Sequence, residues 1–152
     1  MGKLKNYART SDIMNINLTI GQEQFQFNLY EELVISEEKV NSEIKEQPSV
    51  YAFLTTLHKR LVKEMMLAEK EMEKSFSDIY NRYKERVNDN TGRVYDKDYA
   101  HHIANANPGF NRARTKFIKA KYDVGVIDSA IKSFEQRFSL IQTLSANLRK
   151  EK

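Results

Sequence analysis

The sequence predicts a mainly α fold: a long antiparallel helical hairpin with an N-terminal β-hairpin and a short helix, oligomerising through helix bundling. Three observations predict it. Five Gly and two Pro in 152 residues leave little turn material for an all-β chain. Apolar residues recur at helical spacing over two long stretches, residues 48–86 and 110–148. Strict alternation of apolar and polar residues is confined to residues 13–30. The length suits about one domain. It divides into residues 1–47 (β-hairpin and short acidic helix) and 48–152 (long helical hairpin), as one structural unit.

In chain order, Ile16, Leu18 and Ile20 alternate with polar residues before Gly21-Gln22, and Phe25, Phe27 and Leu29 alternate after it. A turn at the Gly makes this a β-hairpin. Two strands alone are marginal in water, so the hairpin is expected to pack on helices or pair with further strands. SEEKVNSEIKE, from Ser36, sets Val40 and Ile44 four apart among acids and reads as a short amphipathic helix. Pro48 suits the first turn of a new helix. Leu54, Leu61, Met65, Ala68, Met72, Phe76, Ile79 and Tyr83 then form one apolar stripe. NDNTG at 88–92 and Asn107-Pro108-Gly109 are breakers, with a short helix expected between them at about Asp98–Asn105.

The last segment repeats in sevens. Phe110, Phe117, Val124, Ile131, Phe138 and Ser145 form one row; Ala113, Ala120, Ile127, Phe134, Ile141 and Leu148 form another three residues behind. Such a seam predicts coiled-coil packing along the helix. Gly125 lies off the seam and costs helix propensity without ending the helix. Two helices leave much of the seam uncovered, so self-association is expected through Phe117, Val124, Ile127, Ile131, Phe134, Phe138 and Ile141.

The usual catalytic apparatus is missing. The chain has no Cys, hence no disulfide, thiolate ligand or Cys nucleophile, and it has no P-loop and no GxSxG. His101 and His102 are adjacent and point apart on a helix, whereas helical metal sites use i, i+3 or i, i+4 pairs. His58 falls on the charged side of its helix and is expected to be solvated. The prediction is a protein that is not an enzyme and needs no cofactor or metal. No apolar run approaches a membrane span, and MGKLKNYARTSD lacks the apolar stretch of a signal peptide. A cytoplasmic protein without membrane attachment is therefore expected.

Charge is unevenly placed. The formal net charge is +4. Residues 23–46 hold two basic and seven acidic residues, whereas residues 82–121 hold ten basic and four acidic. Arg112, Arg114, Lys116, Lys119 and Lys121 follow one another with no acid until Asp123, flanking the apolar seam. An antiparallel hairpin brings them to the same end as Arg82, Lys84 and Arg86, with Arg93 and Lys97 in the connection. A helix C-terminus attracts cations, which accounts for Arg82–Arg86. A helix N-terminus repels them, so the second cluster calls for a functional reason. A polyanion supplies one, and Tyr80, Tyr83, Tyr95 and Tyr99 nearby favour single strands, whose bases are free to stack. The nine residues Arg82, Lys84, Arg86, Arg93, Arg112, Arg114, Lys116, Lys119 and Lys121 are the candidate DNA-binding set; core packing is the competing role for Tyr80 and Tyr83.

The order of these features resembles the UvsY-type recombination mediator family of tailed phages. The resemblance rests on residues 33–76, LVISEEKVNSEIKEQPSVYAFLTTLHKRLVKEMMLAEKEMEKSF. Within them Ile35-Ser36, Lys39-Val40, Glu43, Val50-Tyr51, Lys63-Glu64 and Glu69 fall in the family's order. Phe134, Arg137, Ile141 and Leu144 continue it, so roughly residues 33–149 are covered. The resemblance implies a non-enzymatic, ring-forming homo-oligomer in the host cytoplasm. Such a protein binds single-stranded DNA, displaces the single-strand-binding protein and helps load a RecA-like recombinase. The hairpin at 13–30 is an addition to the family pattern. Ser77 and Ile79 stand near the family's basic positions in the first long helix, so no DNA contact is carried over. The alternative expectation is a non-catalytic coiled-coil scaffolding or adaptor protein of a phage assembly, its basic region meeting an acidic surface such as residues 23–46 of another subunit.

Overall fold

A computed structural model describes residues 2–87 and 89–150, leaving aside the side chains of residues 2, 3, 7 and 37. Helices and strands follow as α1 (Gly2–Thr10), β1 (Asn15–Ile20), β2 (Glu23–Asn28), α2 (Leu29–Leu33), α3 (Val40–Lys84), α4 (Lys97–Ala106) and α5 (Pro108–Lys150). The fold is mainly α, with two long helices packed on each other and one antiparallel hairpin. The chain forms two compact units, residues 1–60 with 125–152, and residues 61–124.

In the first unit, β1 pairs with β2 so that Ile20 faces Glu23 across a two-residue loop. Gly21 holds φ +62 and no described non-Gly residue has positive φ, which is the type II′ pattern that the strand twist favours. Ile16, Leu18 and Ile20 are buried. Phe25, opposite Leu18, meets the Phe53 ring of α3 at 5.9 Å, so the hairpin packs on a helix as the alternation required. Leu29 is the first residue of α2 rather than a strand residue. Asn28 makes the switch: its amide donates to Asn15 Oδ1 at 2.7 Å, and its Oδ1 accepts from Glu31 N at 3.1 Å as the helix cap. The sequence reading also passed over α1.

The acidic segment and the first long helix are one. After a 3-10 turn at Glu37–Lys39, α3 starts at Val40 and passes through Pro48 without a break. A proline inside a helix costs about 3 kcal/mol, through one lost hydrogen bond and a clash with the preceding turn. Here the helix is held on both sides of it. Val40 and Gln47 are buried before it and Leu54 and Leu57 after it, and Pro48 itself lines a groove with Phe134 and Phe138 of α5. Tertiary packing thus overrides the local signal that made Pro48 a helix start.

The two long helices are antiparallel in this unit. Tyr51 donates to Glu135 at 2.9 Å, and Gln47, one turn earlier, reaches the Phe134 carbonyl and Arg137. In this unit the buried positions of α5 are Ile127, Ala130, Phe134, Arg137, Ile141 and Ser145. This corrects the heptad reading. Here the rear row is core until Leu148, which is 41% exposed; in the front row Ser145 is buried, but Ile131 is only half-buried and Phe138 is 37% exposed. Arg137 takes the inner place instead of Phe138 because α3 and the segment before it offer it acceptors. Its Nε donates to the Leu33 carbonyl and its Nη2 to the Val34 carbonyl, each at 3.3 Å, while Nη1 and Nη2 bond Gln47 and Glu43.

In the second unit, Lys116 of α5 meets Glu71 of α3, and Phe110 meets Phe76 at 5.4 Å, so the helices are antiparallel here too. The core is lean: Leu61, Ala68, Ala100, Ala104, Phe110 and Ala113. Alanines on three helices allow close approach, and α4 buries Ala100 and Ala104 completely. α4 begins at Lys97, close to the expected Asp98, which places Lys97 in a helix rather than in the connecting loop. In the loop Val87 bridges Val94, and Gly92 takes φ +66; Asn88 of the expected turn lies outside the described residues.

Asn107 starts α5. Its Oδ1 accepts from Gly109 N at 2.8 Å and from Phe110 N at 3.4 Å, with Pro108 at the first helical position. A Cβ at Gly109 would stand 3.0 Å from that oxygen, which is why glycine fits there. Asn107→Ala is expected to lower stability by about 1 kcal/mol, read as a lower urea midpoint with an unchanged slope.

Candidate nucleic-acid interface

All nine candidate cations are exposed and belong to the second unit. Arg82 and Lys84 sit in the last turn of α3. Arg86 and Arg93 lie in the connection to α4, where Tyr95 N donates to the Arg86 carbonyl at 3.0 Å and sets the chain reversal. Arg112, Arg114, Lys116, Lys119 and Lys121 follow the first turn of α5, which starts at Pro108 and has no acid in that turn. Helical register puts Arg112, Lys116 and Lys119 on one flank of the Phe110–Ala113 core row, and Arg114 and Lys121 on the other.

Their electrostatic situations differ in a way the sequence did not reveal. Lys116 Nζ donates to Glu71 Oε2 at 2.6 Å, and this hydrogen bond, with the charge of Glu71 behind it, raises its pKa above the ordinary lysine value. Lys119 Nζ donates to Asp123 Oδ2 at 2.6 Å. Asp123 is buried, so Lys119 compensates a carboxylate that would otherwise be costly to desolvate. Arg86 lies over the Tyr83 ring at 5.7 Å and Lys121 over the Phe117 ring at 6.0 Å. Arg82, Lys84, Arg93, Arg112 and Arg114 have no side-chain partner among the described residues. Five positive charges are thus left without internal compensation.

The aromatics expected to stack on bases are engaged with one another. Tyr80 stacks on Phe76 with centroids 6.1 Å apart, Tyr83 is half-buried beneath Arg86, and Tyr95 and Tyr99 stack at 4.6 Å. Tyr122 and Ile118, neither of them singled out by sequence, are 69% and 57% exposed on α5. Their distance from the heptad rows was the available signal.

Of the seven residues expected to mediate self-association, Ile127, Phe134 and Ile141 are buried against their own chain and are not free to do so. Phe117 and Val124 in the second unit, and Ile131 and Phe138 in the first, keep accessible surface. His58 is half-buried, not solvated. His101 sits edge-on to Phe76 at 5.2 Å and contacts Asn105. Among the described residues there is no group of three His, Cys, Asp or Glu placed to hold a metal, and no helix long and apolar enough to cross a membrane.

The residues that carry the resemblance have a structural explanation. Val40, Phe134, Arg137 and Ile141 are buried in the first unit with Glu43 paired to Arg137, and these speak for a way of clamping two helices, whereas Lys39, Tyr51, Lys63 and Glu64 of the same resemblance are exposed. The chain matches no family model, no curated protein and no solved structure, and the meaning of its cationic face rests on the residues just described.

Proposed function

We propose that this chain is a non-enzymatic mediator that binds single-stranded DNA and helps load a RecA-like recombinase onto strands covered by single-strand-binding protein, working as a homo-oligomer in the host cytoplasm. The carrying observation is the set of five exposed cations without a side-chain partner among the described residues, Arg82, Lys84, Arg93, Arg112 and Arg114. Arg112 and Arg114 stand two residues apart on α5, with no acid between Pro108 and Tyr122 to offset their mutual repulsion. A strand of phosphates relieves that repulsion and releases its own counterions. The resemblance to the UvsY-type family supplies the recombinase and the single-strand-binding protein as partners. Accessible surface at Phe117 and Val124 in the second unit, and at Ile131 and Phe138 in the first, supports association of identical subunits.

The test is fluorescence anisotropy of a labelled oligothymidylate, titrated across salt. If five cations each meet a phosphate, log K falls against log salt with a slope of roughly −3.5. Absence of binding at low salt overturns the proposal.

A scaffolding reading has one observation in its favour. Glu31, Glu32 and Glu46 line a cleft of about 510 Å³ in the first unit, together with Lys39 and the Arg137–Glu43 pair, and its net negative charge is of the sign that would receive cations from another subunit. Assembly that is indifferent to DNA, with no binding, would favour it.

A further inference from the structure

We propose that Tyr122, with Ile118 beside it, is a stacking subsite for an unpaired nucleobase; this rests on the reading of the cationic face as a single-strand site. Eight aromatic residues belong to the second unit, and seven are already occupied. Phe76 contacts Tyr80, His101 and Phe110; Tyr95 and Tyr99 stack on each other; Tyr83 and Phe117 each lie under a cation. Tyr122 is the exception. It is 69% exposed, with no ring contact and no hydrogen bond among the described residues.

A single exposed aromatic means little. Three further features give this one a meaning. Ile118, one turn earlier on the same face, is 57% exposed, so the apolar surface continues. Arg114, one turn before that, carries a charge without a side-chain partner among the described residues, and Lys121 is adjacent to Tyr122 in the chain. The face also points away from the Phe110–Ala113 row, so α3 does not compete for it. A flat apolar ring with a phosphate attached matches this arrangement: the base lies on Tyr122 and Ile118 while the backbone passes Arg114 and Lys121. Stacking of this kind is tolerant of base identity, because every base has a π face.

The experiment compares an oligothymidylate with an abasic phosphodiester of the same length, for the native chain and for Tyr122→Ala, Tyr122→Phe and Arg112→Gln/Arg114→Gln. Tyr122→Ala is expected to weaken binding to the base-bearing strand on the order of tenfold and to leave the abasic polymer unchanged. Tyr122→Phe is expected to keep the affinity for both. The chain has no Trp, so Tyr122→Trp is a clean reporter: its emission should be quenched by the oligothymidylate and not by the abasic polymer. Equal loss on both polymers, or loss on neither, overturns the subsite. If Arg112→Gln/Arg114→Gln weakens both polymers while Tyr122→Ala affects neither, the single-strand reading stands and the subsite falls. If the native chain binds neither polymer, both fall. Loss of the assembly in Tyr122→Ala with unchanged DNA affinity would make the face a protein contact and also overturns the subsite.

Discussion

Arg137→Ala is expected to destabilise the fold by about 3–5 kcal/mol, the range for breaking one partner out of a buried ion pair. The Arg137 and Glu43 side chains are only 8% and 17% exposed. Truncation leaves the Glu43 carboxylate, the Gln47 amide oxygen and the carbonyls of Leu33 and Val34 without their donor. Gln47 is buried and the Glu43 carboxylate mostly so, and the loss of their donor costs more than a surface ion pair returns. Arg137→Lys is expected to recover only part of the loss, because an ammonium cannot reproduce the planar fork that reaches four acceptors. Arg137→Met with Glu43→Leu is expected to be more stable than Arg137→Ala, since no charge is then left buried and alone. Urea unfolding measures all three. A loss below about 1 kcal/mol for Arg137→Ala would show that this network does not fasten the helices.

Arg112→Gln/Arg114→Gln is expected to flatten the salt dependence of single-strand binding by about 1.4 in slope, equivalent to a loss on the order of 25-fold near 0.1 M salt. Neither arginine has a side-chain partner among the described residues, so both are expected to neutralise phosphate. The contrasting change is Lys116→Gln/Glu71→Gln. It removes a 2.6 Å pair whose partners are 63% and 57% exposed, and leaves the net charge unaltered. Its affinity is expected to stay within about twofold of the native chain, as for other exposed pairs. Equal losses from the two double variants would mean that compensated and uncompensated cations act alike, contrary to the distinction drawn here.

Much of the architecture was legible because periodicity reports burial. The hairpin followed from alternation around Gly21, α4 from breakers on both sides, and α5 from its sevens. Legibility failed where a distant partner outweighed a local rule. Pro48 reads as a helix start, yet packing from both sides carries α3 through it. Phe138 reads as core, yet Arg137 occupies the inner line because acceptors far away in sequence await it. The candidate site shows the same limit. Nine cations were visible in the sequence, and Asp123 lies at i+4 from Lys119, but the neutralisation of Lys116 depended on Glu71. Glu71 is forty-five residues from Lys116. Tyr122 stood outside every pattern, and its isolation becomes visible only when the other rings of its unit have been paired.

Native mass spectrometry with and without a single-stranded oligonucleotide tests the central claim most directly, because it reports assembly and ligand in one spectrum. The account predicts multiples of 17.8 kDa that gain the mass of the oligonucleotide and lose it as salt is raised. A lone 17.8 kDa species that never takes up the strand, even at low salt, would contradict it.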